Sequence, residues 1–105
     1  MAENIIINTL LDRLIVALNE NNIKISEAYL FGSFARGENT EYSDIDVALI
    51  SDAFTGVRYN DIKKIGRIVR NIDYRIEVHP FSTNDRGNSM FLEEIMRTGV
   101  RLNVA

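Results

Sequence analysis

The run FGSFARGENTEYSDIDVALI occupies residues 31–50 and joins two predicted strands through a short helix. Tyr29, Leu30 and Phe31 end an apolar stretch that predicts a buried strand; Gly32-Ser33 breaks it, and Phe34-Ala35-Arg36 predicts a first helical turn. A strand that enters a helix through Gly-Ser is suited to an anion. Gly32 lets the backbone approach a phosphate without a Cβ in the way, the Ser33 hydroxyl can donate a hydrogen bond, and the unpaired N–H groups of the helix start point to the same spot. Arg36 adds a fork of charged donors.

After a polar loop over residues 38–43, the stretch from Asp44 to Ile50 predicts a second strand. Side chains alternate along a strand, so Asp44 and Asp46 share one face, with Cα atoms roughly 6–7 Å apart, while Ile45, Val47 and Leu49 take the core face. Two adjacent carboxylates repel each other unless a cation lies between them or one holds a proton. The pair therefore reads as a site for one or two divalent ions.

These residues also carry a family resemblance. Gly32-Ser33-x-Ala35-Arg36-Gly37 followed by Ser43-Asp44-Ile45-Asp46-Val47 resembles the signature of the nucleotidyltransferase superfamily that includes DNA polymerase beta, and within it the minimal nucleotidyltransferases. The predicted order of helices and strands suits that domain over nearly the whole chain. The resemblance implies an α/β (α+β) fold, a small mixed sheet flanked by helices. It also implies a third acid on a neighbouring strand, and Glu77 stands in the matching place. Family members more usually carry Asp there, so Glu77 is expected either as a ligand and base or as a surface acid paired with Arg75 or a lysine.

Length and composition bound these expectations. The 105 residues predict one domain over 1–105, without room for a second substrate-binding domain. Hydrophobic residues make up 46% and charged residues 26%, which argues for a packed core and against disorder. The apolar runs are too short to span a bilayer, and the N-terminus lacks the features of a signal peptide, so a cytoplasmic protein without a membrane partner is expected. With no cysteine, carboxylates are the natural metal ligands, which suits Mg²⁺. A net charge of −3 and a pI near 5.1 argue against direct nucleic-acid binding.

Elsewhere the pattern is mostly structural. Ile7, Leu10, Leu11, Leu14, Ile15 and Leu18 recur at helical spacing behind a polar lead-in over residues 1–4, with Ile5 and Ile6 as an additional apolar patch for a partner and Asn21-Asn22 as the stop. From Arg58 to Asn71, Tyr59, Ile62, Ile65 and Val69, with Ile72 beyond, predict one apolar helix face. Arg58, Lys63, Lys64, Arg67 and Arg70 crowd the rest, as a solvated face or as a docking surface for an acidic or RNA-containing partner. The stretch from Asp73 to His79 predicts a third strand ended by Pro80, with His79 as a surface or capping group or, alternatively, a proton shuttle. The run from Ser82 to Ser89 predicts a flexible polar loop. A helix over residues 90–97, stopped by Gly99, and an alternating edge strand through Val100, Leu102 and Val104 close the chain.

The resemblance implies a chemistry as well. Asp44, Asp46 and Glu77 would hold Mg²⁺, expected as two ions; Gly32, Ser33 and Arg36 would hold the phosphates of ATP; and AMP would pass to an acceptor with release of pyrophosphate. Minimal nucleotidyltransferases commonly act as antitoxins that adenylylate a tyrosine of a HEPN-domain RNase toxin, and that protein is the expected partner, in a homo- or hetero-oligomer. The alternative is a catalytically inactive relative that neutralises its partner by binding it.

Overall fold

A computed structural model describes residues 2–104, with side chains described from Ile6 to Val104. Helix α1 spans Ala2–Glu20. Its periodic residues Ile7, Leu11, Leu14, Ile15 and Leu18 are buried, whereas Ile6 is exposed; the Ile5 side chain of the expected partner patch lies outside the described residues. Asn22 closes the helix in the left-handed conformation (φ 65°), and the Ile23 N–H returns to the Leu18 carbonyl at 2.9 Å. The buried Leu18 and Ile23 complete this Schellman-type stop.

Strands β1 (Glu27–Phe31), β2 (Ile45–Ile50), β3 (Ile76–Phe81) and β4 (Val100–Arg101) form one mixed sheet in the order β3-β2-β1-β4. A short helix α2 (Ser33–Arg36) lies between β1 and β2, which pair antiparallel. Helix α3 (Arg58–Ile72) is the crossover that lets β3 run parallel to β2. Helix α4 (Met90–Thr98) precedes β4. The expected mixed sheet flanked by helices is thus present.

The alternation of β2 sorts the two layers. Ile45, Val47 and Leu49, with Ala28 and Leu30 of β1 and Ile76 and Val78 of β3, pack against Leu11, Leu14, Ile65 and Val69 of α1 and α3. Burying each of the large side chains in this layer contributes about 1.5–3 kcal/mol. On the other face Tyr29, Ala48 and Ile50 pack against Leu92 and Ile95 of α4. This second layer is smaller, and α4 leaves the Asp46 end of the face uncapped: Asp46 is only partly buried and Glu77 is exposed. Among the described residues no helix is long and apolar enough to cross a membrane.

Four local expectations are corrected. Pro80 does not end β3, which continues to Phe81. The carbonyls of Arg75 and Phe81 accept from the N–H groups of Ile45 and Ser51, so odd-numbered residues of β3 aim their backbone at β2 and Pro80 has its missing N–H on the open edge. Residues 82–89 hold a 3₁₀ turn, Thr83–Asp85, closed by a reciprocal Ser82–Asp85 capping box, so the segment is not a loose loop. Tyr59 is 73% exposed and leaves the apolar face of α3 to Ile65 and Val69, with Ile62 and Ile72 half-buried. The closing strand is only two residues long, both exposed.

Candidate active site

Asp46 is the first residue of β2 to face the α4 side of the sheet. In the register it lies beside Phe31 of β1 and Glu77 of β3. In-register neighbours in a sheet present their side chains to the same face, so the pairing that builds the core on one side brings two carboxylates together on the other. His79 follows two residues after Glu77 and returns to that face. Asp46, Glu77 and His79 each offer a ligand atom within 4.8 Å of the others.

Gly32 opens the opposite flank. It adopts φ 78° and ψ −155°, and a Cβ at this position would overlap Asp46 Oδ2 and lie 3.2 Å from its Cγ. Only glycine combines that conformation with such a close approach. Ser33 begins α2 and is half-buried beside this gap. The strand, the glycine and the helix start therefore converge on the Asp46 carboxylate.

The remaining expected site residues lie further out. Asp44 precedes β2, is exposed, and stands outside the Asp46–Glu77–His79 cluster. Arg36 points to solvent, with Nε 2.7 Å from Glu38 Oε1. Glu77 is exposed and in register with Asp46, on the site face, while Asp73 lies 3.1 Å from the Arg75 guanidinium. Glu27 is a further acid on this face, beneath α4, but it is neutralised by Arg86 (3.1 Å) and Arg101 (3.7 Å) and accepts a 3.0 Å hydrogen bond from Tyr29. Burial, together with that hydrogen bond, pushes the Tyr29 phenol above its usual range.

Two contributors go beyond the expected ligands and phosphate-binding residues. His79 is no surface cap: its side chain is 13% exposed, its Nε2 lies 3.3 Å from Asp46 Oδ1, and its ring meets Phe31 edge-on at 4.9 Å. Arg58, expected as part of the basic face of α3, brings Nη1 to 3.2 Å from His79 Nδ1. Arginine only donates, so Nδ1 accepts and the ring proton sits on Nε2, aimed at Asp46. Period-two alternation puts His79 on the same strand face as Glu77, though it does not predict the contact with Asp46. Nothing local could have placed Arg58, which depends on how the start of α3 folds over the β3 edge.

The donor set suits a hard divalent cation. Asp46 and Glu77 supply carboxylate oxygens, and the gap beside Oδ2 exists because Gly32 lacks a Cβ. Asp46 and Glu77 could hold such an ion.

Known proteins share this fold. Residues 11–100 match the nucleotidyltransferase domain family. No curated protein matches significantly in sequence. Among solved structures, a candidate nucleotidyltransferase from Sulfolobus solfataricus superposes with a TM-score of 0.69 at 17% identity, over 92% of this chain and 79% of that one. A toxin-antitoxin structure containing AMP-PNP gives a TM-score of 0.55 at 24% identity, over 89% of this chain and 72% of that one. A mutant form of the toxin-antitoxin MntA-HpeT gives 0.52 at 22% identity, over 87% and 70%. These likenesses establish a shared fold; with the sequence match across most of its length, and as the GSxARG and SDIDV blocks led us to expect, the chain belongs to the nucleotidyltransferase domain family.

Proposed function

We propose that the protein transfers AMP from ATP to a hydroxyl of a partner protein, a tyrosine of a HEPN-type toxin, and so acts as an antitoxin in the cytoplasm. The observation that carries this reading is the in-register Asp46–Glu77 pair beside the Gly32-Ser33 turn. The fold shared with a toxin-antitoxin structure that contains AMP-PNP, an ATP analogue, supports both the nucleotide and the class of partner.

In this reading Ser33 and the backbone at Gly32-Ser33 grip the outer phosphates, and Arg36 joins them by exchanging Glu38 for a phosphate oxygen. Asp44, Asp46 and Glu77 would hold Mg²⁺, which would supply positive charge to offset that of the phosphates. His79, oriented by Arg58, donates to Asp46 Oδ1 and fixes that carboxylate. Glu77 accepts the proton of the acceptor hydroxyl. The acceptor oxygen forms a bond to the α-phosphorus, the bond from that phosphorus to the bridging oxygen breaks, and pyrophosphate leaves with the electron pair.

The protein incubated with α-labelled ATP, Mg²⁺ and a lysate of its native host is expected to label a protein. Asp46→Asn should reduce labelling at least about a hundredfold while keeping the circular-dichroism spectrum, because the lost charge acts on the transition state and not on the core. Labelling that persists in Asp46→Asn would overturn the mechanism. A second reading, an inactive relative that neutralises by binding, is favoured by the exposed Asp44 and by Glu77 where family members carry Asp. It predicts that Asp46→Asn still neutralises the partner.

A further inference from the structure

A recess of about 430 Å³ opens beside His79, the β3 residue that contacts Asp46. Arg58, His79, Phe81, Asp85, Ser89 and Phe91 are among the residues that line it. Its wall is aromatic. Phe91 lies 5.8 Å from Phe31, 6.0 Å from His79 and 6.1 Å from Phe81 by ring centroids, yet remains 51% exposed. His79 is shared by the two compartments: its Nε2 edge touches Asp46 and its Nδ1 edge meets Arg58 at the rim.

The position of the recess bears on the direction of attack. Gly32 and Ser33 follow β1, on one side of Asp46, whereas Glu77, His79 and Phe81 belong to β3, on the other. In phosphoryl transfer the entering and leaving oxygens lie roughly in line on opposite sides of the phosphorus. If the outer phosphates leave toward Gly32-Ser33, the acceptor oxygen arrives from the β3 side, past Glu77. The recess adjoins that side through His79.

We propose that this recess seats the phenolic side chain of the acceptor. The proposal rests on the nucleotidyltransferase reading of the site and names the residues that choose its acceptor. Phe81 and the half-exposed Phe91 offer ring edges and faces to an aromatic side chain, which favours a flat ring over a flexible aliphatic chain. Arg58 places a positive charge beside the oxygen as its proton passes to Glu77, which favours a phenolate. A serine hydroxyl, carried on one methylene, has no ring to bury here and would leave this aromatic wall unused.

The test is binding, read by NMR on the isotopically labelled protein titrated with N-acetyl-tyrosinamide, N-acetyl-serinamide and AMP. Tyrosinamide is expected to shift Phe81, Ser89 and Phe91, serinamide is not, and AMP should act at Gly32 and Ser33 instead. Phe91→Ala is expected to weaken tyrosinamide binding about tenfold. Arg58→Gln keeps the bulk of the side chain and should weaken it as well; unshifted Val47 and Leu49 signals certify the fold of both variants. Shifts of the recess with AMP but not with tyrosinamide would overturn the proposal in favour of a base pocket, and so would tyrosinamide binding unchanged in Phe91→Ala. Because the readout is not transfer, absent labelling in the ATP experiment would overturn the proposed reaction alone. A protein that labels its partner but shows no phenol at the recess would overturn the seat alone.

Discussion

Gly32 sits at φ 78° and ψ −155°, a region that residues with a Cβ essentially do not enter, and its missing Cβ is the space occupied by Asp46 Oδ2. The two constraints act together on one substitution. Gly32→Ala is expected to destabilise the fold by about 1–3 kcal/mol through backbone strain and to displace the Asp46 carboxylate. Transfer should then fall further than stability does, since the protein remains folded at 25 °C while its ligand oxygen has moved. Urea unfolding beside a labelled-ATP assay separates the two effects; wild-type activity in the Gly32→Ala protein would show that the gap has no role. By contrast, Gly37 (φ 72°) has nothing within 4 Å of an added Cβ, so its substitution carries strain alone and makes a matched control.

At the scale of elements, the hinge between α3 and β3 is a built structure. Asp73 caps the end of α3 through its N–H to Val69, and its carboxylate accepts from the Arg75 backbone at 2.8 Å and from the Arg75 guanidinium at 3.1 and 3.2 Å. The Arg75 side-chain hydrogen bonds, foremost, hold the Asp73 carboxyl below its ordinary value of 3.8, against the opposing effect of burial. A folded pKa below the unfolded one means that the unfolded chain binds the proton more readily. The stabilisation is therefore complete above the ordinary carboxylate value and disappears as pH falls through the lower folded one. Asp73→Asn should cost roughly 1 kcal/mol at neutral pH, with the gap to wild type closing in that acid window; a constant gap from pH 7 to pH 2 would contradict the linkage. Much of this layer was legible in sequence: the period-3.6 stripe of α1, the Gly32-Ser33 break, and the alternation that turned Asp46 outward and Val47 inward all act within a few residues. What was not legible depends on partners distant in the chain. Asp61, which the periodicity of α3 does not single out, is 1% exposed because its carboxylate accepts from Thr55 and from the Gly56 N–H in the preceding loop. Pro80 is tolerated because β3 is an edge strand, and His79 joins the site because Arg58 and Asp46 approach it from two other elements.

Across the whole molecule the two faces of the sheet are unequally secured, and the site lies on the weaker one. The face beneath α1 and α3 is continuous from Ile7 to Val78, whereas α4 holds the opposite face with Leu92 and Ile95, assisted by the partly buried Met96. The strand that follows α4 has two exposed residues, paired only with Tyr29 and Leu30. Its neighbour Gly99 admits no side chain, since a Cβ there would lie 2.7 Å from the Ile95 carbonyl and 2.9 Å from that of Leu30. Local opening follows low buried apolar contact, so α4 and β4 should detach as a unit before the sheet does. Hydrogen exchange on the native protein is expected to give α4 amides an opening free energy at least about 2 kcal/mol below that of Val47 and Leu49 in β2, where both edges are paired. Since α4 carries Phe91, a phenolic ligand in the recess should slow α4 exchange while leaving β2, limited by global unfolding, nearly unchanged. Protection in α4 equal to that in β2 would show instead that both layers open together, and the wall of the recess would then be as rigid as the carboxylates it adjoins.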